Sequence, residues 1–135
     1  MSKELTAEDI LGADDIVKKL VEVPEWGGHV FVRVMSGFAR DQWEAQSMLS
    51  GDSAEARMKN LRARLIAATA CNEKGAMLFT AKQVTALGNK SSRAMDRVFA
   101  EAAKLNELTK EDVDSLVGES EGGPSDDSGS DSPDT

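Results

Sequence analysis

The chain has 135 residues, of which 40% are hydrophobic and 30% charged, which suits one domain with a continuous core. The net charge of −8 argues against sequence-independent nucleic-acid binding, because contacts to phosphates need a surplus of Lys and Arg. The single cysteine, Cys71, cannot form an intramolecular disulfide, and no zinc-site spacing occurs. Without a signal-peptide pattern or an apolar run of about 18 residues, we expect neither export by that route nor a membrane span.

The predicted elements begin with a short helix and a hairpin. Thr6 to Asp9 has the form of a capping box, and Gly12 is a suitable helix end. Residues 19–23 and 29–34 are rich in β-branched side chains, which favours two strands. Pro24-Glu25-Trp26-Gly27-Gly28 joins them, and the paired glycines are expected to supply positive φ angles in a β-hairpin turn.

Helical periodicity dominates the rest of the body. Five helices are predicted, at about 36–49, 54–71, 80–88, 91–105 and 109–117, four of them with a capping residue before the first turn. The predicted inward positions are Phe38, Trp43, Ala45, Met48, Met58, Leu61, Leu65, Ile66, Ala68, Thr69, Val84, Leu87, Met95, Val98, Phe99, Ala102, Leu105, Val113, Leu116 and Val117.

The last 17 residues differ in composition from the body. Residues 119–135 contain six acids, no Lys or Arg and no large apolar residue, so the body of residues 1–118 has a net charge of only −2. Such a segment cannot offset the entropy cost of ordering. We therefore predict an α+β domain over residues 1–118, in which an N-terminal β-hairpin packs on a mostly helical body. A disordered acidic tail is predicted over residues 119–135.

The sequence lacks the usual apparatus of an enzyme. It has one His, no Tyr and no phosphate loop or nucleophile elbow. His29 is interpreted as a solvent-facing turn residue, and Cys71 as a small packed hydrophobe rather than a nucleophile. The acidic pairs Asp14-Asp15 and Asp126-Asp127 lack the alternating ligands of a calcium loop. We predict no catalytic residue, no metal site and no cofactor.

A basic run on the second long helix and one tryptophan are the candidate binding residues. Arg57 and Arg64 fall on one flank of the apolar stripe, whereas Arg62 projects within the apolar side. Arg62 either packs its stem and reaches water or an internal carboxylate, or contacts an acidic or polar partner helix with its neighbours. Trp26, in the hairpin turn, either folds back on the core or anchors a partner.

Several stretches in consistent order over residues 5–117 resemble the tail assembly chaperones of long-tailed bacteriophages. They are Val23-Pro24-Glu25-Trp26-Gly27-Gly28, Val30 to Gly37, Arg40-Asp41, Asn60 to Leu65, Leu78-Phe79-Thr80, Ala86 to Ser91, Asp96 to Phe99 and Lys104 to Thr109.

The resemblance implies a protein of the infected bacterium's cytoplasm that is absent from the mature virion. Such proteins hold the tape measure protein soluble and help recruit tail tube protein around it. Many members also have a longer, frameshifted form with a different C-terminal domain. The charge balance and the lack of a long apolar run lead us to expect neither nucleic acid nor membrane as a partner, and the sequence leaves self-association open. For this chain, the expected contact residues are Trp26, Arg57, Arg62 and Arg64.

Two other functions remain open at this point. The protein could be a structural tail or head-completion component that stays in the virion, which mass spectrometry of purified particles would detect. It could also be a regulator that binds nucleic acid through Arg57 to Arg64, which salt-dependent retention on DNA would detect.

Overall fold

The structure, a computed structural model, describes residues 2–48 and 54–117, with side chains over residues 2–47 and 60–116. The tail predicted from residue 119 lies outside these ranges, so its disorder stays a prediction. Within them the chain forms helices and a small sheet: α1 (Ala7–Leu11), β1 (Lys18–Val23), β2 (Gly28–Arg33), α2 (Gly37–Met48), α3 (Ala54–Thr69), β3 (Ala70–Cys71), α4 (Val84–Gly88), α5 (Ser92–Leu105) and α6 (Lys110–Val117). Single 3₁₀ turns occupy Pro24–Trp26 and Ala81–Gln83.

The predicted hairpin is confirmed. β1 and β2 pair antiparallel, from Lys18 opposite Arg33 to Val23 opposite Gly28. Val21 and Val23 are buried while the residue between them is exposed, as expected for a sheet with one face on the core. The sheet therefore lies against the helices along a single face.

A third strand was not predicted. The sequence pattern extends the second long helix to Cys71, but that helix ends at Thr69 and Ala70–Cys71 pairs with β2. The Ala70 carbonyl accepts a hydrogen bond from the Leu78 N–H at 3.1 Å. Ala70 has no local preference for a strand, so the tertiary contact with β2 decides its conformation.

The core is built around α3. Leu61, Leu65 and Ile66 are fully buried, and α3 packs against α2, α4, α5 and α6. Leu65 lies four residues after Leu61, and Ile66 follows it directly. This spacing places the three side chains on one face of α3, as the sequence pattern predicts. Val98 of α5 and Val32 of β2 complete the same core.

The predicted apolar stripe of α2 is partly wrong. Trp43 is buried, whereas Phe38 is 90% exposed and Ala45 is exposed. The inward face instead repeats every four residues through Ala39, Trp43 and Ser47, and the Ser47 hydroxyl donates to the Trp43 carbonyl at 2.8 Å. At about 100° per residue, Phe38 and Ala45 point well away from that face. The Met48 and Met58 side chains lie outside the described residues.

Three of the predicted helix starts are confirmed by their hydrogen bonds, while the cap predicted before residue 54 lies outside the described residues. In the first and last helices, the Thr6 and Thr109 hydroxyls accept from the backbone N–H of Asp9 and Asp112, whose carboxylates accept from the threonine N–H in return. In each pair, the hydrogen bond from the threonine backbone N–H to the carboxylate is the main cause that holds the pKa of the aspartate below its usual value. Ser91 accepts from the Ala94 N–H at 3.3 Å at the start of α5.

Over residues 2–48 and 54–117, the helices lack the length and the apolar composition that a bilayer crossing requires.

Candidate partner-binding surface

The 3₁₀ turn at the hairpin tip sets the position of Trp26. Pro24 begins the turn with its fixed φ, and Gly27 closes it in the left-handed region, with φ of 76°. The Gly27 N–H donates to the Pro24 carbonyl at 3.0 Å. The expectation that both glycines have positive φ is wrong, because Gly27 alone of the pair does so and Gly28 is already in β2.

An ion pair ties this turn to α5. The Arg97 Nε donates to both carboxylate oxygens of Glu25, at 2.9 and 3.0 Å. The pKa of Glu25 is lowered, first by a hydrogen bond to its own backbone and then by Arg97. Because Glu25 precedes Trp26 directly, the pair links the turn that carries the indole to α5.

Trp26 lines an apolar cleft between the hairpin tip and α4. The apolar cleft has a volume of about 400 Å³ and is lined by Trp26, Phe79, Gln83, Ala86, Leu87 and Lys90. The indole is half-buried and packs against the core while it still faces the cleft. Both interpretations of Trp26, as a lid and as an anchor, therefore remain compatible with its position.

A second hollow, the polar groove, lies between α2 and the segment that leads into α4. Its two adjoining parts have volumes of about 250 and 700 Å³ and share Gln42, Gln46, Arg64, Ala81 and Val84. The smaller part is also lined by Arg33, Trp43 and Phe79. Phe79 thus borders both hollows, and the apolar cleft and the polar groove adjoin.

The predicted arginines do not form one cluster. The Arg64 Nη1 donates to the Gln46 carbonyl at 3.3 Å, along the polar groove. The Arg62 Nη1 donates to the Asp96 carboxylate of α5 at 2.6 Å and lines neither hollow. This is the internal carboxylate that the packing interpretation of Arg62 requires. The Arg57 side chain lies outside the described residues, so its role stays a prediction.

The two residues that were weighed for catalysis lie apart from these hollows. His29 is exposed, and its ring meets the Phe31 ring edge-on with centroids 5.7 Å apart. Cys71 is buried in β3, and burial raises the pKa of its thiol. A raised pKa disfavours the thiolate that a nucleophile needs.

Reasoning from the sequence missed most of the lining residues. Phe79 and Leu87 of the apolar cleft lie 53 and 61 positions after Trp26 in the chain, and contact across that separation leaves no periodic signal. Gln42 and Gln46 are spaced by four on the polar side of α2, which was a detectable pattern. In the sequence, Arg33 is recognisable as part of the second predicted strand and not as a lining residue of the groove.

Comparisons with known proteins agree with this fold. The bacteriophage HK97 tail assembly chaperone structure superposes with a TM-score of 0.55 at 21% sequence identity, over 73% of this chain and 94% of that chain. At that identity the match establishes a shared fold. No curated protein sequence matches the chain. The family model for phage tail assembly chaperones matches residues 12–115, which include every described helix and strand except α1 and the last two residues of α6. The chain therefore belongs to the phage tail assembly chaperone family.

Proposed function

We propose that this chaperone binds apolar segments of the tape measure protein, keeps them from aggregating and helps to recruit tail tube protein around them. The observation that carries the proposal is the apolar cleft, in which a half-buried tryptophan lies beside Phe79 and Leu87. Its volume of about 400 Å³ falls within the roughly 300–1,000 Å³ of typical binding clefts. An amphipathic helix could place apolar side chains in such a cleft.

Trp26 has the properties of an interface anchor. Tryptophan is enriched among residues that dominate binding energies, and a restrained side chain loses little entropy on binding. Here the Glu25 to Arg97 pair links the turn that carries Trp26 to α5, and the indole packs against the core. Arg64 contributes from the adjoining polar groove, while Arg57 and Arg62 are proposed as flanking contacts.

The proposed setting is the cytoplasm of the infected bacterium, with the protein acting stoichiometrically, without catalysis or a cofactor, and absent from the mature virion. A longer frameshifted form and a second copy of the chain are proposed as further partners. Nucleic acid and membrane are not, since a net charge of −8 opposes contact with phosphate-rich surfaces.

Co-expression with the cognate tape measure protein tests the proposal. We expect the unmodified chain to bring the tape measure protein into the soluble fraction and to co-purify with it. Trp26→Ala should reduce recovery by about tenfold, because truncation of an anchor typically costs over 1 kcal/mol. Phe38→Ala is the matched control, since Phe38 is a 90% exposed aromatic outside both hollows.

Three outcomes would change the proposal. A tape measure protein that stays insoluble and unbound beside the unmodified chain would remove its main support. Loss of binding with Phe38→Ala but not with Trp26→Ala would move the contact to the start of α2. A stoichiometric quantity of this chain in purified particles would favour a structural component of the virion instead.

A further inference from the structure

The polar groove has an unusual charge character for this protein. In a chain of net charge −8, the described residues that line the groove include Arg33 and Arg64 but neither Asp nor Glu. Gln42 and Gln46 add carboxamide donors from α2. The charged side chains in the described lining of the groove are therefore all basic, and they lie beside apolar residues such as Met77 and Val84.

Two residues that line this groove each have a buried donor atom that lacks an acceptor within the described part of the chain. These atoms are the Trp43 Nε1 and the Arg33 Nε. Trp43 is only 2% exposed, and the Arg33 Nη1 already donates to the Gly75 carbonyl at 3.1 Å. Buried donors are nearly always paired, because leaving one unpaired costs the full desolvation penalty. Trp43 and Arg33 both line the groove, which makes it the side from which an outside acceptor could approach these donors.

Arg64 supplies a third donor group. It is half-buried, and its one hydrogen bond to protein within the described residues is the 3.3 Å contact to the Gln46 carbonyl, near the outer limit for such bonds. A guanidinium has five N–H donors in a planar fork that matches a carboxylate. The remaining donors of Arg64 suit an anionic acceptor in the groove.

We infer that the polar groove binds a carboxylate-bearing segment of the same partner whose apolar side chains enter the apolar cleft. Phe79 borders both hollows, so one continuous segment can occupy them together. The carboxylate preference follows from the groove itself, whereas naming the tape measure protein as the partner rests on the function proposed above. The feature that the two hollows would recognise on the partner is an apolar side chain with an Asp or Glu near it in space.

Charge complementarity favours an acidic protein segment over a nucleic acid. A polynucleotide presents phosphates over its whole length and would be repelled by the chain's net charge of −8. A short acidic segment would be attracted by the local positive charge of Arg33 and Arg64. The indole and carboxamide N–H groups can also donate hydrogen bonds to a single carboxylate.

Indole resonances test the groove without any knowledge of the partner. The chain has two tryptophans, so a nitrogen-15 spectrum of the full chain shows two indole signals, and Trp26→Phe assigns them. A hexaglutamate peptide should shift the Trp43 signal, and a hexaglutamine peptide should not. The shift should be lost in about 0.5 M salt, which screens charge, and in Arg64→Gln.

The opposite results overturn the inference. No shift of the Trp43 signal with hexaglutamate, or an equal shift with hexaglutamine, would show that the groove has no preference for carboxylates. If deletion of residues 119–135 shifts the Trp43 signal and hexaglutamate binds only after that deletion, the acidic tail of this chain is the occupant instead of a partner segment.

Overlapping synthetic peptides from the cognate tape measure protein test the two hollows together. Bound peptides should contain apolar residues and Asp or Glu, and replacing those acids by Asn or Gln should weaken binding by about tenfold. The same replacement should have little effect on binding to Arg64→Gln, because the carboxylate's partner is already gone. Lys104→Gln makes the same charge change on exposed α5 surface and is the control.

The variants separate this inference from the proposed function. If Trp26→Ala abolishes binding while Arg64→Gln binds as the unmodified chain does, the function stands and the inference fails. If no tape measure peptide binds, the proposed function fails, and the hexaglutamate titration still decides whether the groove takes carboxylates.

Discussion

Asn106 joins three parts of the fold through one buried carboxamide. Its Oδ1 accepts from the Met35 N–H at 2.7 Å, and its Nδ2 donates to the carbonyls of Arg33, at 3.2 Å, and Ala102, at 2.9 Å. The residue also ends α5, and the next residue, Glu107, has a positive φ of 56°. Asn106 thus fixes the exit from β2 against the end of α5.

Asn106→Ala should lower the free energy of unfolding by about 2–3 kcal/mol, because it leaves the buried Met35 N–H without an acceptor. Urea denaturation followed by circular dichroism measures the change. Asn89→Ala is the matched control: Asn89 ends α4 but is exposed, and we expect an effect within about 0.5 kcal/mol. Equal effects of the two variants would contradict the role assigned to the Asn106 carboxamide.

At the scale of elements, the hairpin turn depends on one glycine. Gly27 has φ of 76°, whereas Gly28 lies in β2 outside the left-handed region. A Cβ added at either position would meet no atom within 4 Å. The two positions therefore differ in backbone conformation and not in available space.

Gly27→Ala should destabilise the protein by about 1–2 kcal/mol, the usual cost of a left-handed conformation for a residue with a Cβ. Gly28→Ala should change the free energy of unfolding by less than about 0.5 kcal/mol, since its backbone accepts any residue. Thermal unfolding of the two variants side by side measures the difference. A large loss with Gly28→Ala would mean that space, and not φ, limits the turn.

At the scale of the whole molecule, charge is concentrated in one segment. Six of the 24 acids lie in residues 119–135, and removing them changes the net charge from −8 to −2. Net charge of the larger magnitude keeps proteins dispersed through repulsion. The proposed role of these residues is to keep the chaperone and its bound partner soluble.

Deletion of residues 119–135 should leave the free energy of unfolding within about 0.5 kcal/mol, because the segment has no large apolar residue to bury. Solubility at neutral pH should fall, as measured by the concentration at which the protein precipitates. A full-length variant with all six acids replaced by Asn or Gln should behave like the deletion. A substantial loss of stability on deletion would show that the segment packs on the domain.

Local chemistry in the sequence predicts where most elements begin. The capping residues Thr6, Ser91 and Thr109 hold the helix starts that the pattern indicates, because a cap and its partner lie within three positions. Alternation identifies the buried face of β1, at Val21 and Val23, and the four-residue spacing identifies that of α3, at Leu61 and Leu65. Both patterns also join residues that are close in sequence. These predictions depend on contacts between near neighbours.

Failures arise where distant segments decide the outcome. Phe38 and Ala45 had the residue types of an inward face, but the packing of α2 on α3 selects a different one. Ala70 and Cys71 continue a helical pattern in the sequence, but in the structure they pair antiparallel with β2. The same holds for the two hollows: the sequence analysis names Trp26 and Arg64 as candidates, whereas the folded chain brings Phe79 and Gln46 into the same linings.

The sequence by itself determined the family, the hairpin, the helix starts and the separation of an almost neutral body from an acidic end. Each of these features can be inferred from residue types, short spacings or motifs in a consistent order. Only the tertiary structure decided which side of α2 faces the core, where β3 forms, that Asp96 pairs with Arg62, and that Phe79 borders both the apolar cleft and the polar groove. Those features require segments far apart in the chain to meet, and the free energy of burial that brings them together depends on the whole fold.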